Sequence, residues 1–341
     1  MKKKVVRLVR ARGYFGWSAI AALFWLLHGG AYAADRLTGL HSAQVLSQSM
    51  PWIAQEAGLF KKYDLDFRLV FIASSPVATA ATLGGDAEIA VTGAIGNVRA
   101  YVQGSFDLVF IGGVKNILTH NIMGKPEIKR PEDLKGRRLG VGRFGSNTHY
   151  FVIQALRRFG LDAAKDVQAI PTGGGPESLA ALVGGRVDAA ALVAPGDAGA
   201  VSQGFRMVVN GAELRIPYAA TTFVTLRSLT AKRGPVIGRF MRAMAESAKI
   251  LHTDKNFVYK TLGKYMRITD TKILDSAYQS EIPALERRLE IHDSALQASL
   301  DEIAPTDARA TTFKPQSLVD RRYLVELEKS GFFAQLWGDR K

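Results

Sequence analysis

The stretches SPVATAATLGGDAEIAV (residues 75–91) and GPESLAALVGGRVDAAA (residues 175–191) align without a gap at an offset of 100. Each predicts a helix with Pro in its first turn, a Gly-Gly stop and a short buried strand. The matched residues include Pro76 and Pro176, Gly84-Gly85 and Gly184-Gly185, Glu88 and Asp188, and Ala90 and Ala190. Any α/β chain contains such units, but the shared offset favours two similar lobes.

Strand and helix patterns alternate on both sides of this repeat, which predicts an α/β fold with two lobes, each a mostly parallel sheet flanked by helices. Strands are predicted over 37–40, 66–72, 88–91, 108–111, 138–141, 167–170, 188–192, 207–209 and within 218–226. Helices are predicted over 147–159, 231–252, 255–265, 270–281, 293–303 and 316–330, so the last third is helical. Lobe one is expected to comprise 34–115 and 219–341 and lobe two 116–218, with the chain crossing the hinge twice.

The first 33 residues have the pattern of a secretory signal peptide. Six Lys and Arg precede an apolar stretch over 14–27 and the sequence Ala31-Tyr32-Ala33. The alternative is a membrane anchor, but this apolar stretch is shorter than the ~20 residues that span a bilayer. We therefore expect cleavage after Ala33 and a soluble periplasmic protein. Cleavage would lower the formal net charge from +14 to +8.

Composition and spacing argue against several classes of site. The chain has no Cys, which excludes disulfides and thiol chemistry, and its six His show no metal-ligand spacing. No P-loop or Gly-x-Ser-x-Gly elbow is present, and Lys and Arg are not interleaved with aromatic residues. We therefore expect no metal, no cofactor, no nucleic-acid partner and no enzymatic activity, although convergent catalytic residues would not be visible in sequence.

The sequence LGVGRFGSNTHY (residues 139–150) contains Gly140-x-Gly142-x-x-Gly145, the spacing of a dinucleotide-binding loop. Asp166 follows about twenty residues later, where that fingerprint places an acid that binds ribose. The same glycines also serve any loop that turns tightly from a strand into a helix and binds an anion. Because the other copy of the repeat lacks this spacing, we interpret it as the ligand loop of lobe two.

Several segments resemble substrate-binding proteins of ABC importers of the nitrate, sulfonate and taurine type. They are AQEAGLFKKYDLDFRLV, TLGGDAEIAVTG, DLKGRRLGV, SLAALVGGRVDAAAL and LVDRRYLVELEKSGFFAQLWG. The resemblance implies a type 2 periplasmic binding fold, a ligand in the cleft between the lobes, an ABC permease as partner and a monomer. The loop GRFGSNTHYF (residues 142–151) is particular to this sequence, so the resemblance does not identify the ligand.

Polar residues follow successive predicted strands in both halves, at the edge where α/β sheets bind ligands. The candidate ligand-binding residues are Ser47, Gln48, Ser49, Trp52, Ser74, Ser75, Thr92, Gly93, Arg143, Ser146, Asn147, Thr148, His149, Thr172, Gly173, Gly174 and Asp197. Each Ser, Thr or Asn could instead be an ordinary helix cap, and Arg143 could be a solvated surface residue. Their recurrence favours a cleft for a small organic anion, bound by helix N-termini.

Three functions are compatible with such a cleft. The first is a periplasmic receptor that closes over its ligand and delivers it to a permease. The second is an enzyme on the same fold that acts on a pyrimidine or futalosine-like precursor. The third is a ligand-responsive partner of a membrane sensor.

Overall fold

The computed structural model describes residues 34–338, which contain two five-stranded sheets. The first has the order β2-β1-β3-β10-β4, and the second has the order β7-β6-β8-β5-β9. The strands are β1 (Asp35–His41), β2 (Leu65–Phe71), β3 (Ile89–Thr92), β4 (Leu108–Ile117), β5 (Asn121–Gly124), β6 (Arg138–Gly140), β7 (Gln168–Ile170), β8 (Ala189–Leu192), β9 (Arg206–Asn210) and β10 (Pro217–Leu226). The predicted signal peptide lies outside the described residues.

The two sheets have the same topology. In each, four strands run in one direction, and a single antiparallel strand, β10 or β5, lies fourth in the order. Each antiparallel strand is the first strand after the chain crosses from one sheet to the other. Strand β5 follows the first crossing, and β10 follows the second. The predicted, mostly parallel sheets are therefore confirmed, and β5 is a strand that the sequence patterns missed.

Fourteen α-helices cover these sheets in the described part of the chain. They are α1 (Met50–Glu56), α2 (Leu59–Lys62), α3 (Ser75–Gly84), α4 (Ala94–Val102), α5 (Asn147–Arg158), α6 (Gly175–Val183), α7 (Gly196–Ser202), α8 (Gly211–Leu214), α9 (Arg227–Thr253), α10 (Lys255–Met266), α11 (Thr271–Glu281), α12 (Asp293–Ile303), α13 (Arg322–Lys329) and α14 (Phe332–Trp337). The predicted helix over 316–330 is wrong in its first part, where Pro315–Leu318 forms a 3₁₀ turn. No helix among residues 34–338 has the length and hydrophobicity needed to cross a membrane.

The sequence repeat corresponds to equivalent structural units. Helix α3 begins at Ser75 and helix α6 begins at Gly175, 100 residues later. Strand β3 spans 89–92, and strand β8 spans 189–192. Pro76 and Pro176 occupy the first turns, and both Gly85 and Gly185 have positive φ where the helix ends. The positive φ values explain the glycines, because other residues rarely adopt this conformation.

Glu88 and Asp188, which match in the repeat, also make equivalent hydrogen bonds. The Glu88 carboxylate accepts from the backbone N–H of Thr38, and the Asp188 carboxylate accepts from the backbone N–H of Arg138. The backbone N–H groups of both acids donate in return to the carbonyl oxygens of these residues, each at 2.8 Å. Each acid therefore ties two neighbouring strands together, β3 to β1 in the first sheet and β8 to β6 in the second.

We expect Asp188→Asn to lower the free energy of unfolding by about 1.5 kcal/mol, because Asp188 makes charge-assisted hydrogen bonds. Its carboxylate accepts from Arg138 Nη2 at 2.8 Å and Lys125 Nζ at 2.7 Å, and the side chain of Arg138 holds the pKa of Asp188 well below its usual value. The depressed pKa of Asp188 stabilises the folded protein at pH values above about 3.9, the pKa of Asp in the unfolded chain. This contribution is lost progressively as the pH falls from there toward the pKa of Asp188 in the folded protein. Urea unfolding at pH 7 and pH 3 measures both effects.

The exposed pair of Asp66 and Arg36, separated by 3.7 Å, provides the control. Asp66→Asn should cost less than about 1 kcal/mol at pH 7. An equal loss in both variants would contradict the role assigned to Asp188.

Candidate functional site

Loops from both sheets line one cavity of about 100 Å³. The lining includes the predicted residues Ser47, Gln48, Ser74, Ser75, Ser146, Asn147, Thr148, Gly173 and Gly174. The first and last of these residues, 47 and 174, are 127 positions apart in sequence. They meet because the carboxyl ends of parallel strands share one edge of each sheet. The structure therefore brings the loops of the two halves to one place.

Three helices begin at this cavity. Helices α3 and α6 are the two copies of the sequence repeat, and neither has a side chain capping its first N–H groups. The third, α5, is capped by Ser146, whose Oγ accepts from the backbone N–H of His149 at 3.3 Å. Free N–H groups and the helix dipole attract anions. The repeat thus supplies one such helix terminus from each half of the molecule.

Ser74 and Ser75 are the most unusual residues at the cavity. Ser74 has φ 85° and ψ 134°, a conformation that costs energy for a residue with a side chain. The hydroxyl oxygens of both residues are buried and have no hydrogen-bond partner among residues 34–338. Strained backbone and unsatisfied polar atoms together are typical of ligand sites.

Other lining residues fix the loops by hydrogen bonds within the protein. Gln48 Oε1 accepts from the backbone N–H groups of Ser42 and Ala43 at 2.8 and 2.9 Å. The hydroxyl groups of Ser47 and Thr221 are 2.8 Å apart, and they connect the loop after β1 to β10. Gln48 and Ser47 therefore hold the wall of the cavity that the first sheet contributes.

The glycine loop follows β6. Gly142 and Gly145 have positive φ, and the backbone N–H of Gly142 donates to the Thr172 hydroxyl at 3.2 Å. Asp166 precedes β7, and so it lies at the opposite edge of the sheet from this loop. The backbone N–H of Asp162 donates to its carboxylate at 2.8 Å, and the carboxylate also contacts Lys135. The position of Asp166 does not match the acid of a dinucleotide fingerprint.

Asn147 connects the two sheets. Its Nδ2 donates to the carbonyl oxygen of Ala220 at 2.9 Å, and its Oδ1 accepts from the Tyr218 hydroxyl at 2.7 Å. Gly93 is packed so closely against this side chain that a Cβ there would lie 2.1 Å from Asn147 Nδ2. Gly93 thus contributes to the contact between the two sides rather than to the cavity lining.

The remaining predicted residues lie outside the cavity lining. Ser49 donates to the Leu46 carbonyl oxygen at 2.7 Å, as an ordinary local contact, and Thr92 is buried within β3. Trp52 is buried against Tyr265, with ring centroids 5.2 Å apart, and is part of the core. Arg143 is exposed to solvent.

Three further predicted residues have contacts within the protein. His149 accepts from the backbone N–H of Gly145 at 3.2 Å, while Thr172 is 2.6 Å from the Ser178 hydroxyl. Asp197 accepts from Asn121 Nδ2 at 2.7 Å, and burial raises the pKa of its carboxyl. None of these three residues is part of the cavity lining.

The sequence patterns missed several residues of the lining, namely Ser42, Phe71, Lys115, His120, Ser178, Leu192, Val193 and Thr221. Lys115 is 2% exposed and donates to Glu281 Oε2 at 2.6 Å and to the Thr119 hydroxyl at 2.9 Å. The sequence did contain a signal for this residue, because Lys115 is the single charged residue in the apolar and glycine-rich strand LVFIGGVKNI. A Lys in a buried strand is almost always paired, which indicates a buried partner or a site.

Metal ligation has no support within residues 34–338, where no group of three or more His, Asp or Glu side chains converges. The chemistry of the cavity is instead that of helix termini, hydroxyl groups, one Lys and one His. This set can bind a small anionic molecule through hydrogen bonds.

The two sheets of identical order, joined by two crossings with a cavity between them, define the periplasmic binding protein fold. The chain belongs to the NMT1/THI5-like family, whose model matches residues 49–255. No curated protein sequence gives a significant match.

Solved structures with the same fold include several binding proteins. One protein from Bordetella bronchiseptica RB50 has 20% identity and a TM-score of 0.76, with coverage of 87% of this chain and 98% of its own. The alkanesulfonate-binding protein SsuA of Xanthomonas axonopodis pv. citri, bound to MOPS, has 20% identity, a TM-score of 0.71 and coverage of 84% and 98%. The desulfurization enzyme DszB has 15% identity, a TM-score of 0.67 and coverage of 87% and 99%, so the fold also occurs in an enzyme.

Proposed function

We propose that this protein is a periplasmic solute receptor that binds a small organic anion, sulfonate-like or carboxylate-like, and delivers it to the permease of an ABC importer. The observation that carries the proposal is the pair of repeat-related helices, α3 and α6, whose uncapped N-termini line one cavity. The unpartnered hydroxyl groups of Ser74 and Ser75 supply further donors. The sulfonate-binding proteins with this fold support the same ligand class.

Two moving lobes are part of this proposal. We retain 34–115 with 219–341 as lobe one and 116–218 as lobe two. The two sheets support this division except at its ends, since β4 extends to Ile117 and β10 begins at Pro217. Ligand would bridge both lobes and shift an equilibrium between open and closed arrangements. Asn147 donates to the carbonyl oxygen of Ala220 across this boundary and accepts from Tyr218, the last residue of lobe two. We expect the contact with Ala220 to form only in the closed arrangement.

Thermal unfolding of the purified protein against a panel of sulfonates, carboxylates, pyrimidines, nitrate and NAD tests the proposal. We expect one class of organic anion to raise the unfolding temperature, because a ligand at 100 times its Kd adds about 2.7 kcal/mol to stability. NAD should give no shift. Stabilisation by NAD alone would contradict the proposal.

The compound that binds should also be recovered unchanged after incubation with the protein. Conversion into a product would instead favour the enzymatic alternative. Copurification with a histidine-kinase sensor domain, and not with a permease, would favour the sensor alternative.

A further inference from the structure

His120 is placed where the chain crosses between the two sheets. It lies in the three-residue connection from β4 to β5, next to the second crossing. A Cβ at Gly211 would lie 1.9 Å from the His120 carbonyl oxygen, and the Gly211 N–H donates to Asn121 Oδ1 at 3.1 Å. The backbone of His120 is therefore fixed by both crossings.

The side chain of His120 lines the cavity and is 7% exposed. Its ring stacks on Phe151, with centroids 5.4 Å apart and planes inclined by 23°. Buried polar groups are nearly always hydrogen-bonded, yet His120 Nδ1 has no partner among residues 34–338. Because His120 lines the cavity and its Nδ1 has no hydrogen-bond partner among the described residues, it is suited to hydrogen-bond a ligand in the cavity.

The ring is uncharged at physiological pH. Burial lowers the pKa of His120 to about 3, and the positive charge of Lys115 acts in the same direction. A neutral imidazole has one nitrogen that donates and one that accepts. It can therefore both donate to and accept from a hydroxyl or amide group, and it contributes no net charge to anion binding.

We propose that His120 is a specificity-determining residue that hydrogen-bonds an uncharged polar group of the ligand, while the helix termini bind its anionic group. This inference rests on the proposed function and narrows the ligand class. The ligand is a small organic anion that carries a hydroxyl or amide group a few bonds from its charge, since the cavity is only about 100 Å³. Simple alkyl anions lack the group that His120 recognises.

Calorimetric titration with matched probes tests the inference. The probes are 2-hydroxyethanesulfonate with ethanesulfonate, and lactate with propionate. We expect the wild-type protein to bind one hydroxylated probe about tenfold more tightly than its alkyl counterpart. His120→Phe should reduce this preference to about twofold or less with little change in the Kd of the alkyl probe, and His120→Gln should restore part of it. For the sulfonate pair, whose charge is constant over this range, the wild-type preference should be equal at pH 5 and pH 8.

Stability separates recognition from a merely structural role. Without ligand, His120→Phe should unfold at the same or a higher temperature than the wild type, because it removes an unsatisfied buried nitrogen. A preference that survives His120→Phe, or a preference within the sulfonate pair that changes between pH 5 and pH 8, would overturn the assignment while leaving the proposed function intact. Failure of all four anions to bind the wild-type protein would overturn the ligand class inferred here, and the thermal panel would still decide the proposed function separately.

Discussion

Replacing Lys115 with Met is expected to lower the free energy of unfolding by about 3–5 kcal/mol, because it leaves the carboxylate of Glu281 buried without its cation. The two side chains are 3% and 1% exposed, and their charged atoms are 2.6 Å apart. Thr119 would still hydrogen-bond this carboxylate, but a neutral hydroxyl does not compensate a full charge. Urea unfolding of the wild type and the variant measures the loss.

The double variant Lys115→Met with Glu281→Met identifies the cause. Replacing both members of a buried ion pair by apolar residues of similar volume is often neutral or stabilising. We therefore expect the double variant to recover most of the stability that the single variant loses. An equally unstable double variant would show that packing of the Lys115 methylenes, rather than the unpaired charge, sets the cost.

Lys62 and Glu246 form a control pair with the same 2.6 Å separation, but the Lys62 side chain is 56% exposed. Lys62→Met should cost about 1 kcal/mol or less, since water solvates the Lys62 ammonium and the Tyr63 hydroxyl still donates to Glu246. The comparison isolates burial, because the distance between the charged atoms is the same in both pairs.

Local sequence signals predicted most of the fold. Pro76 and Pro176 start helices, and the Gly-Gly pairs end them, through backbone preferences that need no tertiary information. Strand β5 was missed because its four residues have no pattern of their own and pair with β8 and β9, more than sixty residues later in sequence. The break before α13 was also missed, although Pro315 begins a 3₁₀ turn there.

The candidate site was predictable only in part for a related reason. Ser74, Ser146 and Gly174 begin helices after strands, and so their place at the sheet edge follows from the α/β pattern. Lys115 and His120 reach the cavity because the chain crosses between the sheets there. The sequence placed this crossing near residue 115 but did not indicate which of its residues line the cavity. Trp52, also predicted for the site, is not part of the lining, since its ring packs on Tyr265 from the helical last third.

Gly93→Ala is expected to weaken ligand binding about a hundredfold while leaving stability nearly unchanged. Gly93 has φ −83° and ψ 163°, which alanine adopts readily, so the substitution is compatible with its own lobe. The conflict lies with Asn147, whose amide atoms would be 2.1 Å from the new Cβ. Because Asn147 belongs to the other proposed lobe, the methyl group should hold the cleft open and remove the lobe-two contacts to the ligand.

Titration with the ligand identified in the thermal panel measures the affinity, and small-angle scattering with the same ligand measures compaction. Gly238→Ala is the matched control, because the nearest atom to a Cβ there is Tyr323 Cδ1 at 3.9 Å. Asn147→Ala alone should cost about tenfold in affinity, since it removes the hydrogen bonds to Tyr218 and Ala220.

The Gly93→Ala and Asn147→Ala double variant should bind no more weakly than Asn147→Ala, because the amide that causes the conflict is gone. This non-additivity is the signature of a contact between the two residues. Additive losses would mean that the methyl group disturbs the start of α4 rather than the contact across the cleft. A Gly93→Ala protein that binds ligand and compacts like the wild type would show that Asn147 moves aside, and that closure does not depend on this contact.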